Sequence, residues 1–283
     1  MKFAVFTVMV PELNPEETVA ALKRHGYDGV EWRVTSPDPA RRNEKPSYWG
    51  NNRSTVPVDA TEAELKEIRR MTEEAGLEVP NLGCYLPFGD LAVAERGMEI
   101  AKLLGSKAIR VAVPGYNRTK TYPELFREAR AYLEGVERLC GIYGVKGLIE
   151  IHMGNIASSA SLARRLVEGF DSARIGVIYD PGNMVYEGYE QYRMGLQLLG
   201  EYLAHVHVKN AYWIRNPDRK SDLDPQWKAV SAPMRDGIVH WKQVLDDLKS
   251  VGYDGWLSFE DFSGSRPTDE LLADNLAYIK SLL

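Results

Sequence analysis

Four short apolar stretches each carry an ionisable residue near the point where a buried strand would end. "KGLIEIHMGN" (Lys146 to Asn155) holds Glu150 and His152, and "VIYDPGN" holds Asp180 with Asn183 three residues on. "AHVHVKN" carries His205, His207 and Lys209, and "GWLSFEDF" carries Glu260. A carboxylate in such a strand costs on the order of several kcal/mol unless it is paired, hydrogen-bonded or bound to a metal. Residues two apart on a strand point to the same side, so Glu150 and His152 share that problem, as do His205, His207 and Lys209. Two or three carboxylates with one or two imidazoles make a ligand set for a divalent cation such as Mn²⁺, Mg²⁺ or Co²⁺. The expected ligands are Glu150, Asp180, His207 and Glu260, one from each stretch. His152, Asn183, His205 and Lys209 are then candidates to touch substrate or to orient the ligands. Lys209 could bind an anionic group, and so could Arg235, Arg53 and Arg215 in the loops. The bland alternative is a set of internal ion pairs, with Glu150 answered by Arg110 or Arg33.

Positioning four such residues together requires a regular scaffold. "LKRHGYDGVEW" and "LKSVGYDGWLSFE" both run from a helix end through Gly-Tyr-Asp-Gly into a strand, and weaker copies recur along the whole length. Glycine just past a helix is the common left-handed cap. Helix starts are marked by Asn14-Pro15-Glu16-Glu17, by Thr61 with Glu64, and by Pro123, Ser161 and Pro267-Thr268. Strands are expected near Phe3, Gly29, Val79, Ala108, Gly147, Ile175, Ala204 and Trp256. Eight strands alternating with eight helices predict an α/β fold, a closed (β/α)8 TIM barrel spanning residues 1–283 as one domain. An open doubly wound sheet is the rival, but no glycine-rich phosphate loop follows the first strand. In a parallel barrel the active site lies at the C-terminal strand ends, where the four ionisable residues fall. Residues 35–59 form a long loop after the second strand, rich in Pro, Asn and Arg. It is expected to be a lid with Trp49 against substrate, or else a contact that builds a homodimer or homotetramer. Glu31, only two residues past its glycine, is expected low in the barrel or paired with Arg33, and His25 and His240 are expected on solvated helices.

"GLIEIH", "VIYDPGN", "HVHVKN" and "GYDGWLSFE", in that order, resemble the sugar phosphate isomerase/epimerase family of xylose isomerase-like TIM barrels. The resemblance covers essentially the whole chain, including "RDGIVHWKQVLDDLKSVGYDG". It implies a (β/α)8 fold and a metal held by Glu, Asp, His and Glu, matching Glu150, Asp180, His207 and Glu260. In the family's ketose epimerases the two glutamates also move the proton. The chain departs at Asn183, where many members have a histidine that touches substrate, and at Asn210, where aspartate is frequent. Both departures bear on the substrate and leave the metal set intact.

The expected function is a divalent-metal-dependent sugar or sugar-phosphate isomerase or epimerase. Glu150 and Glu260 would serve as acid and base around an enediolate stabilised by the metal. The alternative is a metal-dependent dehydratase of a cyclitol or keto sugar. A less favoured reading is an apurinic endonuclease, which the net charge of −5 and pI ≈ 5.7 oppose. A Schiff-base aldolase on Lys209 and a sugar-binding relative without turnover complete the field. The expected partner is a small-molecule sugar or sugar phosphate, with no nucleic acid and no membrane. No apolar run approaches a membrane span. The first apolar stretch reads as a strand rather than a signal peptide. Two cysteines, Cys84 and Cys140, are too few for a disulfide framework and suggest a reducing cytoplasm.

Overall fold

Apolar runs of three to seven residues alternate with helices along the chain, and each run becomes a strand buried on both faces. In the computed structural model, which describes residues 1–283, eight of them close into a parallel barrel. Barrel strands 1 to 8 are Lys2–Phe6, Gly29–Thr35, Leu82–Cys84, Ala108–Arg110, Lys146–Glu150, Ile175–Tyr179, Leu203–Val208 and Trp256–Phe259. Each pairs with the next in parallel, and strand 1 closes the ring by pairing with strands 2 and 8: Val5 lies opposite Val30 and Phe3 opposite Leu257. The outer layer is helical: α1 (Pro15–His25), α2 (Glu62–Glu74), α3 (Leu91–Leu104), α4 (Tyr122–Tyr143), α5 (Ala160–Val167), α6 (Pro181–Glu187), α7 (Tyr192–Leu199), α8 (Trp241–Ser250) and α9 (Thr268–Ser281). No helix is long and apolar enough to cross a membrane.

Local chemistry explains these boundaries. Capping boxes at Asn14 with Glu17 and Thr61 with Glu64 start α1 and α2, and Gly26, at φ +80°, ends α1 in the left-handed conformation. Strand 6 is buried at every position because its inner face fills the barrel and its outer face meets helices. At Gly83 of strand 3 a β-carbon would fall 2.0 Å from the Phe6 ring. Only glycine therefore lets Phe6 cross the barrel, and that ring becomes the floor of the site described below.

The structure departs from the sequence expectation in three places. Strand 3 begins at Leu82 rather than near Val79, since Pro80 has no N–H to give the ladder. Nine α-helices form rather than eight, because the short α6 starts directly behind Asp180. An antiparallel hairpin, Ala211–Arg215 with Trp227–Ser231, follows strand 7 and was not expected. Residues 35–59 fold back across the barrel mouth. A two-residue strand, Val56–Pro57, pairs with strand 2, while Tyr48 and Trp49 each stack 5.1 Å from Phe262, and Trp49 lies 5.8 Å from Tyr85.

Candidate metal centre

Glu150 is the last residue of strand 5, Asp180 follows strand 6 as the N-cap of α6, His207 lies near the end of strand 7, and Glu260 follows strand 8. Closure of the barrel brings one donor atom from each within 4.8 Å of all the others, and all four side chains are buried. The Asp180 side chain is aimed by its cap, in which Oδ1 accepts from Asn183 N at 2.9 Å. His207 Nδ1 lies 3.0 Å from Glu150 Oε1 and 3.7 Å from Glu260 Oε1.

The opposite nitrogen fixes the ring. His207 Nε2 meets Glu31 Oε1 at 3.2 Å, while Glu31 Oε2 meets His205 Nε2 at 2.9 Å, and Asn81 Nδ2 donates to Glu31 Oε1 at 2.7 Å. A carboxylate behind a ligating histidine selects the tautomer and holds the ring plane. Phe6 lies 5.6 Å from the His207 ring and closes the space beneath it.

Two buried cations take the outer oxygens of the carboxylates. Arg110 Nη1 pairs with Glu150 Oε2 at 2.5 Å, as the ion-pair alternative foresaw. Lys209 Nζ contacts Asp180 Oδ2 at 3.0 Å, Asn183 Oδ1 at 3.2 Å and Glu260 Oε2. Asn183 Nδ2 in turn donates to Asp180 Oδ2 at 2.6 Å and to Ile151 O at 3.2 Å. These contacts leave Glu150 Oε1 and Glu260 Oε1 facing His207 Nδ1. Glu260 Oε2 is charge-paired with Lys209.

The electrostatics follow from the crowding. Burial by itself would raise the Glu150 carboxyl, but Arg110 and His207 hold it well below its usual range. Burial raises Asp180, with Lys209 opposing and Glu260 and Glu150 reinforcing. Burial would lower His207, but Glu31, Glu260 and Glu150 hold it well above the usual imidazole value. Lys209 is likewise raised against its burial by Asp180 and Glu260. A lysine held as ammonium is no nucleophile, which argues against the Schiff-base reading.

Three carboxylates and one imidazole on a common centre, with like charges this close, fit a divalent cation of the Mn²⁺, Mg²⁺, Co²⁺ or Zn²⁺ kind. Of the other residues singled out, Asn183 and Lys209 join the cluster. His152 stands beside it: its Nδ1 meets Met153 O at 2.6 Å, and it lines a cavity of about 310 Å³ with Glu150, Arg110 and Tyr85. His205 lies deeper in the barrel on Glu31. Trp49 is half exposed above the mouth. Arg235 is not brought to the cluster; it pairs with Asp274 at 2.8 Å and stacks on Tyr278, both on α9. Arg53 is bound to Glu12 O at 2.6 Å, and Arg215 stacks on Trp227. Sequence reasoning missed the role of Glu31, whose only signal is the echo of "GYDGVEW" in "GYDGWLSFE". Phe6, Asn81 and Tyr85 carried no signal.

A family model described as "Xylose isomerase-like TIM barrel" matches residues 19–282. An inosose dehydratase of Geobacillus thermodenitrificans is 24% identical over 218 residues, which cover 73% of this chain and 65% of that protein. Among solved structures, a 3-keto-D-glucoside 4-epimerase from E. coli superposes with a TM-score of 0.73 at 16% identity, covering 99% of both chains. The IOLI protein with a bound zinc atom gives a TM-score of 0.74 at 16% identity, covering 100% of this chain and 99% of that one. At such identities these structures speak to the fold.

Proposed function

The chain belongs to the xylose isomerase-like TIM barrel family, and from that premise we propose that it is a divalent-metal-dependent sugar or sugar-phosphate isomerase or epimerase. The observation that carries the reading is the meeting of Glu150, Asp180, His207 and Glu260, from four adjacent strand ends, at one buried point. A divalent ion held there would supply Lewis-acid stabilisation of the charge that develops on a substrate carbonyl oxygen. The protein's own groups do the rest. Glu150 and Glu260 approach His207 from different strands, so a sugar carbon lying between them meets a carboxylate on either side. Arg110 keeps Glu150 ionised; one of the two glutamates removes the proton beside the carbonyl, and the other, or the same residue, returns it. Return to the opposite face of the same carbon gives an epimer, and return to the neighbouring carbon gives an aldose–ketose isomer. Lys209 and Asn183 hold Asp180 and Glu260 in place, while Trp49, Tyr85 and Phe262 limit water at the mouth.

A dehydratase is the second reading, favoured by the name that the curated relative carries. The same abstracted proton followed by loss of a neighbouring hydroxyl would give elimination. One experiment separates the readings: incubation of Mn²⁺-, Mg²⁺- or Co²⁺-loaded protein with ketoses, aldoses and inososes in D₂O, followed by mass spectrometry. Deuterium gained without loss of water is expected, and Glu150→Gln should slow its uptake by about 10²–10⁴-fold at saturating metal. Loss of water would move the assignment to the dehydratase. Failure to bind a divalent ion, with wild type and Asp180→Asn indistinguishable by metal analysis, would end both readings.

A further inference from the structure

Three cationic side chains are buried at the barrel mouth, and one of them has no acid. Arg110 and Lys209 face carboxylates, but Arg33, on strand 2 and only 8% exposed, has no carboxylate within ion-pair distance. Its Nη1 donates to Thr55 Oγ1 at 2.5 Å, its Nε is buried without a partner, and its plane lies 5.4 Å over the Tyr85 ring. Burial, with Arg110 nearby, lowers its pKa, the mark of a cation lacking a counter-charge.

Arg33 lines a cavity of about 550 Å³ against residues 35–59 whose wall is polar apart from Pro37, Pro39 and Pro57. Arg41, Arg42 and Arg53 line it too, with Asp38 and Asp59 as the only acids: four guanidiniums against two carboxylates. Arg41 is paired with Glu44 at 2.9 Å and Arg53 with Glu17 at 3.6 Å, while Asp38 accepts from Ala40 N at 2.9 Å. That leaves Arg33 and Arg42 without an ion-pair partner, and likewise Asp38 and Asp59; both acids and Arg42 are exposed, and Arg33 alone of the four is buried. The cavity gives an anion a polar approach, and the arginine fork gives it a counter-charge.

We propose that this cavity is an oxyanion-binding site in which Arg33, with Arg42, holds a phosphate or carboxylate group. The site lies one aromatic ring from the metal centre. Tyr85 has Arg33 5.4 Å and Arg110 4.1 Å from its ring centre, and Arg110 pairs with Glu150. The inference rests on the isomerase or epimerase reading for its substrate and on Arg33 and Arg42 for its anion.

The first measurement is titration calorimetry of inorganic phosphate into the metal-loaded full-length protein. Saturable binding is expected, weakened about tenfold or more in Arg33→Met and weakened also in Arg42→Gln, as loss of a charge-assisted contact requires. Asp180→Asn should retain it, so the anion site can be read even if the metal reading fails. If Arg33→Met does not fold, Arg33→Lys, which keeps charge and loses the fork, carries the test together with Arg42→Gln. A second arm compares a ketohexose with its phosphate ester. A preference in kcat/KM that disappears in the Arg33 variant assigns the anion to the substrate. Arg33-dependent phosphate binding without that preference assigns the site to a separate anion. No saturable binding of phosphate or of a sugar carboxylate, or binding unchanged in both the Arg33 and the Arg42 variants, overturns the proposal.

Discussion

At the scale of single residues, the centre is defined by what stands behind the ligands. His207 can ligate through Nδ1 only if Nε2 carries the proton toward Glu31, so Glu31→Gln should weaken divalent-metal affinity by about 10–100-fold while the protein remains folded. Equal affinity in that variant, measured by calorimetry, would remove Glu31 from the centre. The raised pKa of His207 gives a second expectation, with its sign fixed. In the metal-free protein the ring keeps its proton at neutral pH, and ligation must expel it. Metal binding should therefore release protons and tighten as pH rises, until pH passes the His207 value and the dependence levels off. Calorimetry in buffers of different ionisation enthalpy reads this directly, and a heat independent of buffer would contradict it. The meeting of Glu150, Asp180, His207 and Glu260 was legible in the sequence because a strand-end position is a local property. Glu31 and Arg33 were not, because their roles depend on which side chains face them across the barrel. Glu31 reaches His205 and His207 on strand 7, and no spacing within strand 2 announces that partner.

Elements decide how firmly those residues are held. Strand starts were readable from glycine-capped helix ends, and all eight barrel strands fall within a few residues of where the sequence put them. The hairpin after strand 7 was not readable. Its halves, "AYWIR" and "WKAVS", are joined by a long polar segment, Asn216–Gln226, in place of a tight turn with a recognisable signature. What anchors its base is Asn210, the position where the resemblance led one to expect aspartate. Asn210 Nδ2 donates to Met234 O and Val239 O at 2.9 and 3.1 Å, and its Oδ1 accepts from Ala211 N and Val239 N, both at 2.9 Å. An aspartate can accept but cannot donate to two carbonyls. Asn210→Asp should destabilise the fold by about 2–3 kcal/mol, the cost of leaving buried acceptors unpaired. Thermal unfolding tests this, and a Tm equal to wild type would mean the loop rearranges around the carboxylate. The residue therefore reports on loop anchoring and gives no information about substrate.

Over the molecule as a whole, the mouth is divided by sign. The candidate metal donors come from strands 5 to 8, with Lys209 the cation among them; Arg33 and Arg110 come from strands 2 and 4, each within cation–π distance of Tyr85, with Glu31 the one buried acid on that side. The loop that roofs the arginines, residues 35–59, is the longest connection on the basic side and touches the acidic side only through the stacking of Tyr48 and Trp49 on Phe262. The partition is crossed at two points, because Glu31 and Arg110, from strands 2 and 4, steady His207 and Glu150 on the acidic side. Under the proposed reading, a change at Arg33 or Arg42 alters which molecule is admitted, whereas a change at Glu31 or Arg110 is felt across the barrel. Neighbours on one strand thus answer to different selections: Glu31 to the chemistry, Arg33 to the choice of substrate.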